Sequence, residues 1–475
     1  MLFNSIEFLV FFPLVFLIYW FVLKNRLRLQ NLFLLAASYV FYGWWDWRFL
    51  SLIIISSAVD YFVGRQLNRA EKESVRKGLL MISLAVNLGL LGYFKYANFF
   101  IDSLISAFGT AGIHLNIRTL HVILPVGISF YTFQTLSYTI DIYRRRFTPT
   151  SDVIAFFAYV AFFPQLVAGP IERAFHLVPQ FLQPRVFDYS KAVRGCRLIL
   201  WGFFKKVVIA DRLAFFVNHV YEAPASYQGA DLILATFFFA VQIYCDFSGY
   251  SDIAIGTARL FGFDLMTNFQ MPYFSRSIRE FWGRWHISLS TWFRDYVYIP
   301  LGGSRTRTAR WMFNLMVTFV VSGMWHGAKW NFILWGALHG TYAMIETLMT
   351  RNRMRTIKIP DLFQWLLTFC LVNIGWIFFR ANTLADSFYI LKSVFRPECS
   401  FKLPFIEIYD FMLSLAFITV LFVSEICIRH RDRWKTIKKL FELKYMRWGL
   451  YYMVLYCIMF FGVFQKKIEF IYFQF

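Results

Sequence analysis

The chain has 475 residues, of which 58% are hydrophobic and only 16% charged, and its formal net charge is +21. Soluble domains carry about 25% charged residues, so the composition excludes a water-soluble fold and implies a membrane protein. The positive charge does not imply nucleic-acid binding, because it is gathered in loops between apolar runs.

Apolar runs of roughly 17–25 residues, enough to cross a bilayer, recur along the chain. Candidates are 5–23, 30–46, 49–64, 78–97, 121–140, 152–168, 195–210, 229–247, 312–324, 331–350, 361–380, 408–428 and 448–464. Lipid leaves backbone polar groups no outside partner, so only helices or closed barrels span it. Barrel strands alternate over about ten residues, whereas these runs are continuous. The expected fold is all-α, a polytopic integral membrane protein with about 11–13 transmembrane or re-entrant helices. The first run lacks a basic flank and a cleavage site, so it reads as a retained helix.

Lys24, Arg26 and Arg28 follow the first run; Arg65, Arg69, Lys72, Arg76 and Lys77 follow the third; Arg144, Arg145 and Arg146 follow the fifth. The positive-inside rule places these loops in the cytoplasm and the N-terminus outside. The block from Arg429 to Arg447, with Arg431, Arg433, Lys435, Lys438, Lys439 and Lys444, suits a cytoplasmic loop drawn to anionic membrane lipids. Docking of an acidic partner or an anionic donor is the alternative. Cys196, Cys245, Cys370, Cys399, Cys427 and Cys457 form no C-x-x-C pair, so neither a disulfide framework nor a metal site is expected.

Between 160 and 340 the apolar runs are broken by Gly, Pro and charge: FFPQLVAGPIER (162–173), YCDFSGYSDIAIG (244–256), NFQMPYFSRSIREFW (268–282) and YIPLGG (298–303). Irregular backbone at membrane depth is tolerated only against protein or a water-filled cavity. A cavity is therefore expected here, within one integral domain over 1–475. Its catalytic core would span about 120–345, flanked by helices in 1–119 and 346–475.

Two Trp-His pairs lie in this region, Trp285-His286 and Trp325-His326. An ionisable side chain in lipid is a functional-site hypothesis by default, and histidine suits general-base work near neutral pH. His326 is flanked by Gly323 and Gly327, where backbone can approach closely; its plainer reading is a hydrogen-bonded core histidine. His286 sits near Arg284, Arg294 and Asp295. Phe281, Trp285, Ser288 and Trp292 fall on one helical face, with Glu280 and Arg284 spaced as an i,i+4 pair. His339, His114, His121, His176, His219 and His430 read as structural.

Asp246 and Asp252 can line the cavity, orient a base or belong to a structural network. Gln165 and Glu172, around the Ala168-Gly169-Pro170 break, suit a re-entrant turn. No G-x-S-x-G elbow, phosphate-binding G-x-x-x-x-G-K-[ST] or H-E-x-x-H zinc signature occurs. Neither histidine of the pairs has an aspartate four or five residues later. A histidine base without a local nucleophile fits direct transfer, in which it deprotonates an acceptor hydroxyl that attacks an activated carbonyl. Trp325, Asn331 and Arg284 are candidate oxyanion donors.

The segments FLLAASYVFYGWW (33–45), LGYFKYANFF (91–100), LPVGISFYTFQTLSYTIDIYR (124–144), FFPQLVAGPIER, YCDFSGYSDIAIG, EFWGRWHISLSTWFRDYVYIPLGG (280–303) and MWHGAKWNFILWGALHG (324–340) occur in one order. In them the chain resembles the membrane-bound O-acyltransferase family, in its bacterial branch that acylates alginate and teichoic acid. The terminal FIYFQF (470–475) is also similar. The resemblance implies helices around a central tunnel where a cytoplasmic donor meets an extracytoplasmic acceptor. It assigns the catalytic histidine to His326 and the second motif histidine to His286. The residues themselves place Trp285, Arg284, Trp325, Asn331, Asp246 and Asp252 along the expected substrate tunnel. The resemblance further implies acetyl-CoA as donor with no bound cofactor, and a polysaccharide or a periplasmic acetylation protein, such as an SGNH-type partner, as acceptor. The implied location is the bacterial inner membrane. Transfer of another acyl unit, such as D-alanyl, and a non-enzymatic transporter or lipid scaffold remain the alternatives.

Overall fold

The computed structural model describes residues 1–120, 122–167, 169–351, 360–396, 408–430, 443–464 and 470–471. His121, Ala168, Cys399, the basic residues Arg431, Arg433, Lys435, Lys438 and Lys439, and the last four residues of FIYFQF lie outside this set. The regular secondary structure of the described residues is helical, with no strand among them. Residues 1–197 with 254–266 form one compact unit, and 198–253 with 267–475 form another.

The first unit holds α1 (Ile6–Leu17), α2 (Leu27–Asp46), α3 (Leu50–Arg69), α4 (Glu73–Leu91), α5 (Ala97–Thr110), α6 (Ile128–Tyr143), α7 (Val153–Ala161), α8 (Phe163–Leu166) and α9 (Ala174–Leu182). Its core contains a polar centre in an apolar surround. Asp60 on α3 is fully buried and accepts from Ser83 and Asn87 of α4 and Thr139 of α6. A buried carboxylate is tolerated when hydrogen bonds replace its water, so one aspartate ties three helices together. Gly64 keeps that contact close, since a Cβ there would strike the Tyr138 ring.

Helices α10 (Tyr189–Phe203) and α12 (Gly229–Leu260) contribute residues to both units, and α11 (Asp211–Glu222) belongs to the second. The second unit continues with α13 (Ile278–Arg284), α14 (Ile287–Phe293), α15 (Thr308–His326), α16 (Trp330–Arg351), α17 (Asp361–Arg380), α18 (Leu384–Val394), α19 (Ile408–Arg429) and α20 (Lys444–Phe461). Small residues let α15 and α16 meet as an antiparallel pair, as in membrane helix packing generally. A Cβ at Gly323 would collide with the Phe332 carbonyl, and one at Gly336 with the Phe319 carbonyl.

Among the described residues, five helical stretches are long and apolar enough to cross a membrane: Leu27–Arg69, Glu73–Thr110, Gly229–Leu260, Asp361–Arg380 and Ile408–Arg429. The chain is a multi-pass membrane protein. The sequence expectation of about 11–13 segments counted shorter or broken runs with these. The run at 152–168 divides into α7 and α8 at Phe162, and that at 195–210 passes into a π-helix at Phe204–Ala210. The run at 121–140 contributes the 16-residue α6, buried on nearly every side.

Candidate active site

The helical face read over Phe281–Trp292 is broken in the structure. Helix α13 ends at Arg284 and α14 begins at Ile287, because His286 takes a left-handed conformation at φ 43°. A non-glycine residue at positive φ is strained, and such residues cluster where surrounding structure demands them. The apolar spacing survives the break: Phe281, Trp285, Ser288 and Trp292 are all buried. The predicted Glu280–Arg284 pair forms at 2.7 Å.

That break turns His286 inward, where it is fully buried. Its Nδ1 lies 3.1 Å from Asn268 Oδ1, which also accepts from Ser288 Oγ at 2.9 Å. An amide oxygen only accepts, so Nδ1 carries the proton and Nε2 the lone pair. Asn268 thus sets the tautomer. Sequence reasoning passed over it; the signal was a lone amide in the broken segment that precedes the histidine.

His326 closes α15. A Cβ at Gly327 would strike the Phe332 ring, so glycine is needed for the helix end to sit against the start of α16. The imidazole is 4% exposed and boxed by Trp325 at 5.1 Å, Trp335 at 5.0 Å and Phe379 at 5.2 Å between ring centroids. Trp325 also contacts His286 edge-on at 6.0 Å. Two histidines forty residues apart therefore meet one indole.

A cavity of about 860 Å³ lies among the same helices, although neither His286 nor His326 forms part of its wall. Its wall includes Ile287, next to His286, and Ser322, one turn before His326. Arg279, Arg294, Ser290 and Thr347 are among its polar lining residues, and Trp282 and Phe319 among its aromatic ones.

The other path candidates are placed as follows. Trp285 stacks on Phe281 and contacts Trp376 in a ring cluster, and Arg284 pairs with Glu280. The Asn331 amide donates to Ala381 O and Ser387 Oγ, both at 3.1 Å. Asp246 pairs with buried Lys206 at 2.8 Å and accepts from Ile471 N at 2.8 Å. Asp252 pairs with Lys205 at 2.7 Å. Lys206 also reaches Asp211 at 2.8 Å, and Lys205 reaches Ser248 Oγ at 2.9 Å. None of these residues lines the cavity wall.

The two lysines were not anticipated as partners. Both lie in the π-helix at Phe204–Ala210, and each reaches a different aspartate of α12. Gly202 and Gly249 admit the close approach, since a Cβ at either would strike the other's carbonyl.

Of the remaining histidines, His339 is buried, His176 and His430 are half-buried, and His114 and His219 are exposed. Gln165 donates to Tyr159 O at 2.8 Å, which holds the turn before Gly169. Glu172 is fully buried, and burial pushes its carboxyl up. It accepts from Met266 N at 2.5 Å and lies 2.7 Å from His176 Nδ1. That hydrogen bond holds His176 above its ordinary value.

The profile of MBOAT, the membrane-bound O-acyltransferase family, matches residues 147–385. A probable alginate O-acetylase of Pseudomonas aeruginosa is 43% identical over 396 residues, covering 83% of this chain and 75% of its own. A peptidoglycan O-acetyltransferase of Helicobacter pylori is 34% identical over 425 residues, covering 83% and 80%. A teichoic acid D-alanyltransferase of Streptococcus thermophilus is 29% identical over 245 residues, covering 48% and 58%.

Proposed function

From the premise that this chain belongs to the membrane-bound O-acyltransferase family, we propose that it transfers acetyl from cytoplasmic acetyl-CoA toward an envelope or exported polysaccharide, with His326 as general base. The observation that carries this reading is the placement of His326. It is a buried imidazole at a helix end, boxed by rings, one turn from a cavity large enough for the reacting part of a thioester. Water-poor surroundings strengthen the electrostatics of proton transfer.

In the proposed step His326 takes the proton of an acceptor hydroxyl as that oxygen attacks the thioester carbonyl. The C–S bond then breaks, and the thiolate leaves with the proton returned by the imidazolium, so the base is regenerated. His286, held through Asn268, packs edge-on against Trp325 and so helps to position the ring that also meets His326.

Arg279 and Arg294 on the cavity wall suit the phosphates of the donor. Arg305, Arg307 and Arg310, at the start of α15, favour the cytoplasm for that end of the cavity. The same rule supports an extracytoplasmic N-terminus in a bacterial inner membrane. The names of the relatives support alginate-type or peptidoglycan-type acceptors, reached directly or through a periplasmic acetylation protein.

The test is transfer across a sealed bilayer. Proteoliposomes receive labelled acetyl-CoA on one side and an acceptor polysaccharide, with and without an SGNH-type partner, on the other. Label on the acceptor supports the reading. Intact labelled acetyl-CoA on the far side, with no esterified product, would replace it with a transporter.

A further inference from the structure

One cluster in the second unit carries polar ring atoms that the chemistry above does not use. Trp282 of α13 and Trp335 and His339 of α16 contact one another. Ring centroids lie 5.5 Å apart for Trp282–Trp335, 5.1 Å for Trp282–His339 and 5.0 Å for Trp335–His339. Trp335 and His339 are each 1% exposed. Yet Trp282 Nε1, Trp335 Nε1 and both ring nitrogens of His339 have no hydrogen-bond partner among the described residues.

Four such nitrogens in one cluster need an account, because buried polar groups are nearly always satisfied. Packing alone does not supply one, since phenylalanine or leucine would fill the same volume without the penalty. The fold also makes room for the imidazole: a Cβ at Gly375 of α17 would collide with His339 Nε2.

The place of the cluster limits what it can bind. Trp282 forms part of the cavity wall, and Trp335 lies 5.0 Å from the His326 ring. The cluster therefore links the cavity to the candidate base. Indole N–H groups only donate, whereas a neutral imidazole donates once and accepts once. The complementary ligand is uncharged, rich in carbonyl oxygen, and carries an N–H. A secondary amide has this pattern; a phosphate or an ammonium group does not.

We infer that Trp282, Trp335 and His339 form a neutral hydrogen-bonding subsite for an amide of the acyl donor's thiol arm. The inference rests on the thioester-donor reading above and adds the part of the donor that is recognised. The cysteamine end of coenzyme A places an amide a few bonds from the thioester sulfur. Holding that amide at Trp335 would keep the carbonyl beside His326.

The test reads binding, in a His326→Ala background that does not turn over. Two labelled acetyl thioesters are compared by equilibrium dialysis into purified protein: that of N-acetylcysteamine, which carries an amide, and that of 2-mercaptoethanol, which does not. The amide-bearing thioester is expected to bind about tenfold more tightly. His339→Phe and Trp335→Phe should abolish the preference, and His339→Gln, which can still donate and accept, should retain most of it.

A preference that survives His339→Phe, or no preference at all, overturns the subsite. So does a loss of binding by His339→Phe that is equal for both thioesters. In each case acetyl transfer from acetyl-CoA by the unsubstituted protein still supports the donor reading. If the unsubstituted protein transfers acetyl from no thioester, the donor reading and the subsite both fall.

Discussion

The second unit buries polar groups in two contrasting ways. Around α12 charge meets charge: Lys206 lies between Asp211 and Asp246, Lys205 pairs with Asp252, and Tyr244 donates to Glu425. Around α15 and α16 imidazoles meet rings: His326 touches Trp325, Trp335 and Phe379, and His339 touches Trp282 and Trp335. Full charges at depth must be paired, so the first region is locked and suits anchoring. Histidine can stay neutral among rings and keep a lone pair, so the second region retains chemistry. On the proposed reading, the same burial serves scaffold in one place and site in the other.

The largest expected effect lies in the ionic region. Lys206→Ala leaves Asp211 and Asp246 facing each other, and breaking such a buried pair costs about 3–5 kcal/mol. A sharp fall in melting temperature and in folded yield is expected. Adding Asp211→Asn and Asp246→Asn to Lys206→Met should recover most of it. A single Lys206→Ala that melts like the parent would remove the contrast.

Next comes Gly323→Val, which drives a side chain into the Phe332 carbonyl. Overpacking of this kind costs about 1–3 kcal/mol. Transfer should fall further than the melting temperature suggests, because His326 is one turn away. Asn268→Ala should then lower turnover by about tenfold, the worth of a lost hydrogen bond that fixed the His286 tautomer. Its melting temperature should fall as well, because the buried His286 and Ser288 groups lose their acceptor, and Ser288→Ala should lower both less.

The smallest effect concerns the first unit. The His176 value is raised by Glu172, so its stabilising contribution is complete below the ordinary value of about 6.5 and fades as pH rises through the raised one. The pair is partly exposed, which limits the effect. His176→Ala should melt about 1–2 °C lower at pH 6, a gap that closes by pH 9. A gap that widens with pH would reverse the assignment.

Much of this was legible beforehand. Continuous apolar runs announced a helical membrane protein, ordered motifs announced the family, and glycines beside His326 announced a close approach that Phe332 makes. The Glu280–Arg284 spacing became a pair. What stayed hidden depended on departures from regular helix. Apolar spacing continues across the left-handed His286, so the break leaves no mark in the pattern. The pairing of Lys205 and Lys206 with two aspartates of α12 follows no spacing that the sequence displays. Asn268 reaches His286 only because both segments are irregular.

The central claim is that the two Trp-His pairs share one site but not one role. The direct measurement compares acetyl transfer per folded molecule by His326→Ala and His286→Ala, with and without added imidazole. The expected result is a loss of about 10²–10⁴-fold for His326→Ala, partly restored by imidazole, and a smaller loss for His286→Ala that imidazole does not restore. Transfer by His326→Ala at the parent rate would contradict the account.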